Sequence, residues 1–223
     1  MFKCFKKAQI DLHREVFGLS FRNQLGTRLS EDAGLRQRRA SSRMTKTAFL
    51  TLTPPKDNIL NWFSSLPSIQ ENAVLAVNLR ENIIKNFALA YDFADFIIID
   101  PDSDSGIDAA DLADTRMLLD EIVSLRLCYE KYTPILMRLS HGCTEEEMQL
   151  ILSSCRLYGL DGVVSPNPAM TRQIQELTDH RLPIMTTAKT VEEAQLALVE
   201  GSELVELEMR PVTIQKLLKT LEI

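Results

Sequence analysis

Residues 134–167, PILMRLSHGCTEEEMQLILSSCRLYGLDGVVSPN, constrain the fold more than any other stretch. Ile135-Leu136-Met137-Arg138-Leu139 has the length and apolar character of one buried strand. Thr144 can cap a helix, and Glu147 three positions later completes a capping box. Met148, Ile151, Leu152 and Cys155 then recur at helical spacing on one face, and Gly159 supplies a stop. Leu160-Asp161-Gly162-Val163-Val164 is a second short strand, broken by Ser165-Pro166-Asn167-Pro168. Two short buried strands joined by one helix must run parallel, through a right-handed crossover. If the unit repeats, function belongs at the C-terminal ends of the strands.

The unit does repeat. Residues 15–26 read as a hairpin-like entry followed by a first strand, and Leu29 to about Arg43 as a polar helix. Strands are expected at 48–53, 73–78, 93–100, 135–139, 160–164, 182–186 and 204–207. Helices are expected from Asp57 to about Leu66, at 81–91, 109–129 and 170–177, from Thr190 to Gly201, and at 212–221. About eight strand–helix pairs predict a compact (β/α)8 TIM barrel with short loops. The expected organisation is a single domain over 1–223, with 1–14 as a basic N-terminal arm.

Composition narrows the function classes. The chain has 223 residues, 45% apolar and 25% charged, which suits an ordinary folded domain. No apolar run approaches the roughly 20 residues of a membrane span. The N-terminus has no signal-peptide core, so a cytoplasmic location is expected. The cysteines, at 4, 128, 143 and 155, form no CxxC pair and read as free thiols. His141 and Cys143 offer two ligand types in one loop, too few for a metal site, and none is expected. Residues 1–47 carry eleven Lys/Arg and four Asp/Glu, a net of +7, so the remainder carries −13 within an overall −6. This basic segment is either a solvated face with a mobile arm or a contact for an acidic partner or membrane surface. Aromatics are sparse and no nucleic-acid motif occurs, so no nucleic-acid partner is expected.

VFGLSFRNQLG (16–26), LTLTPP (50–55), LAVNLREN (75–82), FADFIIIDPDSDSG (93–106), the 134–167 segment and LPIMTTAKTVEEAQLALVEGSELVEL (182–207) together resemble, in collinear order, dihydroorotate dehydrogenase. That family comprises flavin-dependent barrel enzymes of pyrimidine biosynthesis, and the quinone-linked branch is the most similar. The resemblance implies a divergent, shortened member descended from an FMN-bearing barrel. The family's long excursion between its second and third strands shrinks here to Pro54–Ala73.

The resemblance also assigns positions. Asn78 and Asn167 fall on family asparagines at strand ends, Arg138 on a family lysine and Asp100 on a family asparagine. Ser103 falls where the quinone-linked members carry a catalytic base, flanked here by Asp102 and Asp104. The family's Gly-x-Gly-Gly, whose backbone N–H groups hold the FMN phosphate, reads Thr186-Thr187-Ala188-Lys189. At the first strand end, Arg28 projects towards the flavin space.

Three readings follow. In the first, the barrel has a degenerate FMN site, no cofactor and no redox activity, and acts as a binding or regulatory protein. In the second it is an active FMN-dependent oxidoreductase, with Ser103 catalytic, Asn78, Arg138, Asn167, Thr187 and Lys189 on the cofactor, and Asp100 and Asp102 at the mouth. In the third, Asp100, Asp102, Asp104, Arg138, Glu206 and Glu208 support Mg²⁺ or acid–base chemistry, against the plainer alternative of helix capping and pairing with Arg138. The first is preferred, with a small molecule or a protein as partner, a second copy of the chain included. The quinone-linked branch carries a membrane-associating helical element before the barrel. About fourteen residues precede the hairpin here, so membrane contact is not expected.

Overall fold

A computed structural model describes residues 13–29, 47–55, 59–64, 74–101, 112–209 and 211–220. A short antiparallel hairpin, β1 (Arg14–Val16) and β2 (Leu19–Phe21), opens it. Eight strands follow: β3 (Leu25–Arg28), β4 (Phe49–Leu52), β5 (Val74–Leu79), β6 (Phe96–Ile99), β7 (Ile135–Arg138), β8 (Gly162–Ser165), β9 (Ile184–Ala188) and β10 (Leu204–Leu207). They pair in parallel in sequence order, and β10 returns to β3, closing the barrel. The helices are α1 (Ile59–Ser64), α2 (Ile83–Tyr91), α3 (Leu112–Arg126), α4 (Glu145–Leu157), α5 (Pro168–Thr178), α6 (Val191–Val199) and α7 (Pro211–Thr220). The compact (β/α)8 barrel expected from the sequence is the observed fold. No helix among the described residues is long and apolar enough to cross a membrane.

The opening unit forms as the sequence dictates. Thr144 Oγ1 accepts from Glu147 N, Glu147 Oε2 accepts from Thr144 N at 2.7 Å, and α4 buries Met148, Ile151, Leu152 and Cys155. The polar helix expected over 29–43 and most of the expected basic arm fall outside the described residues, with Arg14 already in β1.

A strand presents alternate residues to opposite faces, and this sorts the core into two layers. Leu75, Val77, Ile97, Ile99, Ile135, Met137 and Val163 face the helices and pack with Phe87, Leu119, Ile122, Leu152 and Ile174. Phe49, Ala76, Phe96, Ile98, Leu136, Val164, Met185 and Leu204 fill the barrel interior. The hairpin adds Val16 and Phe21 to this interior layer. The Phe21 and Phe49 rings meet edge-on with centroids 5.9 Å apart, and Phe96 stands 5.9 Å from Phe49. The N-terminal end of the barrel is thereby plugged by aromatic packing, which leaves the strand C-terminal ends as the open mouth.

Gly26 is required by that plug, because a Cβ there would stand 2.1 Å from the Phe49 ring. At the same end of β8, a Cβ on Gly162 would stand 2.7 Å from the Pro183 carbonyl oxygen and 2.8 Å from the Phe17 ring.

Candidate functional site at the barrel mouth

The site follows from the same two-residue period. Two positions beyond the interior apolar residues Leu136, Met185, Leu204, Ala76 and Ile98 come Arg138, Thr187, Glu206, Asn78 and Asp100. Two positions beyond Gly26 and Phe49 come Arg28 and Thr51. Seven of the eight barrel strands, all but β8, therefore place a polar or charged residue at the C-terminal end of their inward face. The barrel interior changes from hydrocarbon to a buried charge network within one layer.

Arg138 is the hub of that network, at 8% exposed. Its Nη2 donates to Glu206 Oε2 at 2.9 Å and its Nη1 to Thr187 Oγ1 at 2.8 Å. Its Nε donates to Asn78 Oδ1 at 3.4 Å and lies 3.2 Å from Asp100 Oδ2. Thr187 in turn donates to Glu206 Oε2 at 3.0 Å, and Asn78 Nδ2 donates to Asp100 Oδ2 at 3.0 Å. Arg28 reaches over this layer, with Nη1 3.7 Å from Glu206 Oε2 and Nη2 3.8 Å from Asp100 Oδ2.

Glu206 is fully buried, and burial alone would push its carboxyl pKa up. The guanidinium groups of Arg138 and Arg28 outweigh that and hold it below the usual carboxylate range. Thr51 lies near enough to favour the same ionised form, although neither its hydroxyl nor Glu206 Oε1 completes a hydrogen bond of normal geometry. For Arg138, burial disfavours the charge, while Glu206 and Asp100 raise the pKa above the ordinary guanidinium value. Both members of the pair are ionised at neutral pH.

Above the network lies a cavity of about 240 Å³, lined by Arg28, Arg80, Asp100, Arg138, Thr187, Lys189 and Glu208 among others. The structure thus brings together eight of the residues singled out from the sequence: Arg28, Asn78, Asp100, Arg138, Thr187, Lys189, Glu206 and Glu208. Asn167 takes part in a helix cap. Its Oδ1 accepts from Met170 N at 3.0 Å and caps α5, with Pro168 at the first helical position. Ser103, Asp102 and Asp104 lie outside the described residues. No group of three or more metal-ligand side chains occurs among the described residues. Arg80 and Thr53 were missed. Arg80 follows β5 directly and Thr53 continues the inward face of β4, so the two-residue period could have located both. His141, which the sequence offers only as a weak metal-ligand candidate, reaches the mouth from a loop.

The turn after β9 also departs from expectation. The Lys189 N–H donates to Glu193 Oε2 at 2.7 Å, while Thr190 Oγ1 accepts from Glu193 N at 3.1 Å. The start of α6 is therefore capped by the Thr190 hydroxyl, and a carboxylate of the chain itself takes the N–H of Lys189 just before it.

Fold and site define a parallel eight-stranded barrel with a buried ion-pair network under its mouth. Among solved structures, the chain is similar to dihydroorotate dehydrogenase (DHODH) of Eimeria tenella in complex with ferulenol. The TM-score is 0.76 at 14% identity, over 97% of this chain and 85% of that one. The ligand-free DHODH of the same organism matches with a TM-score of 0.71 at 15% identity, over 92% and 83%. No protein-family model matches the sequence, and no curated protein matches it. At such identities the likeness is one of fold, and it agrees with the resemblance carried by the sequence.

Proposed function

We propose that this chain is a dihydroorotate-dehydrogenase-like barrel without flavin or redox chemistry, which binds a small molecule at its mouth as a binding or regulatory protein. The supporting observation is the contact between Lys189 N–H and Glu193 Oε2 at 2.7 Å. The resemblance places a cofactor phosphate at this turn, where glycine would let backbone N–H groups approach it. Here Thr186, Ala188 and Lys189 replace the glycines, and a carboxylate already takes an N–H that the phosphate needs. An incoming phosphate would meet that negative charge at close range. Across the mouth, the flavin ring would have to displace Arg28 from above the Arg138–Glu206 pair. The residues present do not fit FMN, and no redox step is assigned to them. Protein purified from flavin-replete cells is expected to be colourless, and a yellow preparation with flavin absorbance would count against this reading.

A further inference from the structure

Eight large apolar side chains are exposed among the described residues, and five of them belong to one side of the barrel. Met117 is on α3, Leu150 and Leu157 are on α4, and Leu127 and Tyr132 follow α3 in the chain. The two helices are neighbours, because α3 leads into β7 and α4 leads out of it. Their far ends are tied together. Arg126 Nη2 donates to Gly159 O at 3.1 Å, and its Nη1 lies 3.3 Å from Asp161 Oδ2. The same guanidinium stands over the Tyr132 ring, 5.7 Å from its centroid. Leu127, Tyr132 and Leu157 belong to the segments that this tie joins, and they are 81%, 60% and 74% exposed. A single exposed leucine needs no explanation, but a concentration on two adjacent helices marks a contact surface.

The order of residues on the two helices decides what covers that surface. Both helices run away from the mouth. Along that direction α3 presents Arg116 and Met117, then Asp120 and Glu121, and Leu127 follows its end. Along the same direction α4 presents Glu145 and Glu146, then Leu150, then Arg156 and Leu157. Apolar positions therefore fall at similar heights on the two helices, and the charges beside them have opposite signs. The other charged residues of both helices are engaged within the chain: Asp114 has a contact there, Glu147 closes its capping box and Arg126 pairs with Asp161. A two-fold axis parallel to the helices would lay α3 of one copy on α4 of another, and the reverse. Met117 would then meet Leu150, Leu127 would meet Leu157, Arg116 would meet Glu146, and Arg156 would meet Asp120 and Glu121. We propose that this face is the interface of a two-fold homodimer, with α3 of each copy packed on α4 of the other. The face is two helices wide and about 20 Å long, at the small end of stable interfaces, so exchange between monomer and dimer in the micromolar range is expected.

The test is sedimentation velocity of the full chain at loadings from roughly 1 to 300 μM. The sedimenting mass is expected to rise from one chain to two across that range. Leu157→Glu, at an exposed position that leaves folding intact, should weaken association at least about tenfold. Val199→Glu, equally exposed but on α6, should leave it unchanged. Arg116→Glu and Glu146→Arg should each weaken self-association, and an equimolar mixture of the two variants should regain the wild-type affinity, because each then supplies the charge that the other has lost. A chain that stays monomeric at the highest loading would overturn a second copy as the occupant. A dimer that survives Leu157→Glu, or one that Val199→Glu disrupts, would place the contact elsewhere and overturn the assignment of this face. A mixture that associates no better than either variant alone would overturn the packing of α3 on α4.

Discussion

Arg138 and Glu206 face each other across the top of the barrel interior, with Nη2 of the one 2.9 Å from Oε2 of the other, and neither side chain is more than 8% exposed. They come from β7 and β10 and are joined by charge and by Thr187, which bonds to both. Removing one partner of a buried pair strands the other charge in a medium that solvates it poorly. Glu206→Gln is therefore expected to destabilise the protein by about 3–5 kcal/mol, measured by urea unfolding. The sign of the pH dependence follows from the lowered pKa of Glu206. The stabilisation is present in full above the unfolded glutamate value of about 4.3 and is lost as pH falls through the lower folded value. The wild type should lose this increment in acid, whereas Glu206→Gln should lack it throughout. An unfolding free energy for Glu206→Gln equal to wild type at neutral pH would contradict the pairing.

At the opposite end of the barrel, Gly26 packs its backbone against the Phe49 ring, so that a Cβ would come within 2.1 Å of it. Phe49 is wedged between Phe21 and Phe96 and has nowhere to move. Gly26→Ala is expected to cost about 1–3 kcal/mol through overpacking, with a lowered thermal midpoint. An unchanged midpoint would mean that the hairpin plug is looser than described.

The capping box of α4 should be separable from the site. Thr144→Ala removes the acceptor for Glu147 N and is expected to cost about 1 kcal/mol of stability. Because α4 packs on the outer face of the barrel, ligand binding at the mouth should be unaffected. A change in affinity larger than the change in stability would show coupling that the geometry does not contain.

Thiol reactivity should follow burial. Burial pushes the Cys155 thiol up to about 12, while Cys128 is exposed. Alkylation of folded protein at pH 8, read by mass spectrometry, should modify Cys128 early and Cys155 only after denaturation. Early labelling of Cys155 would indicate that α4 detaches from the barrel in the native state.

Much of this was legible in the residues. The alternation of short apolar runs with capped helices defined the barrel, because parallel buried strands leave few alternatives. The Thr144–Glu147 box formed as read. Through the resemblance Asn167 falls on a cofactor position, while Asn-Pro at 167–168 is also a cap followed by a first-turn proline, and in the structure its Oδ1 caps α5. Thr190-x-x-Glu193 is the same pattern as Thr144-x-x-Glu147, and each Thr hydroxyl accepts from the backbone N–H of its Glu at a helix start. The ion-pair network was hidden for another reason. Arg28, Arg138 and Glu206 lie far apart in the chain, and only closure of β10 on β3 brings them together.

The central claim is that the mouth no longer serves flavin, and titration of free FMN with the purified chain tests it most directly. If Glu193 and Arg28 occupy the cofactor's positions as described, FMN fluorescence and absorbance should stay those of the free molecule up to high protein concentration. Stoichiometric quenching, with a shifted flavin spectrum that is lost on dialysis against apo-flavoprotein, would contradict the account.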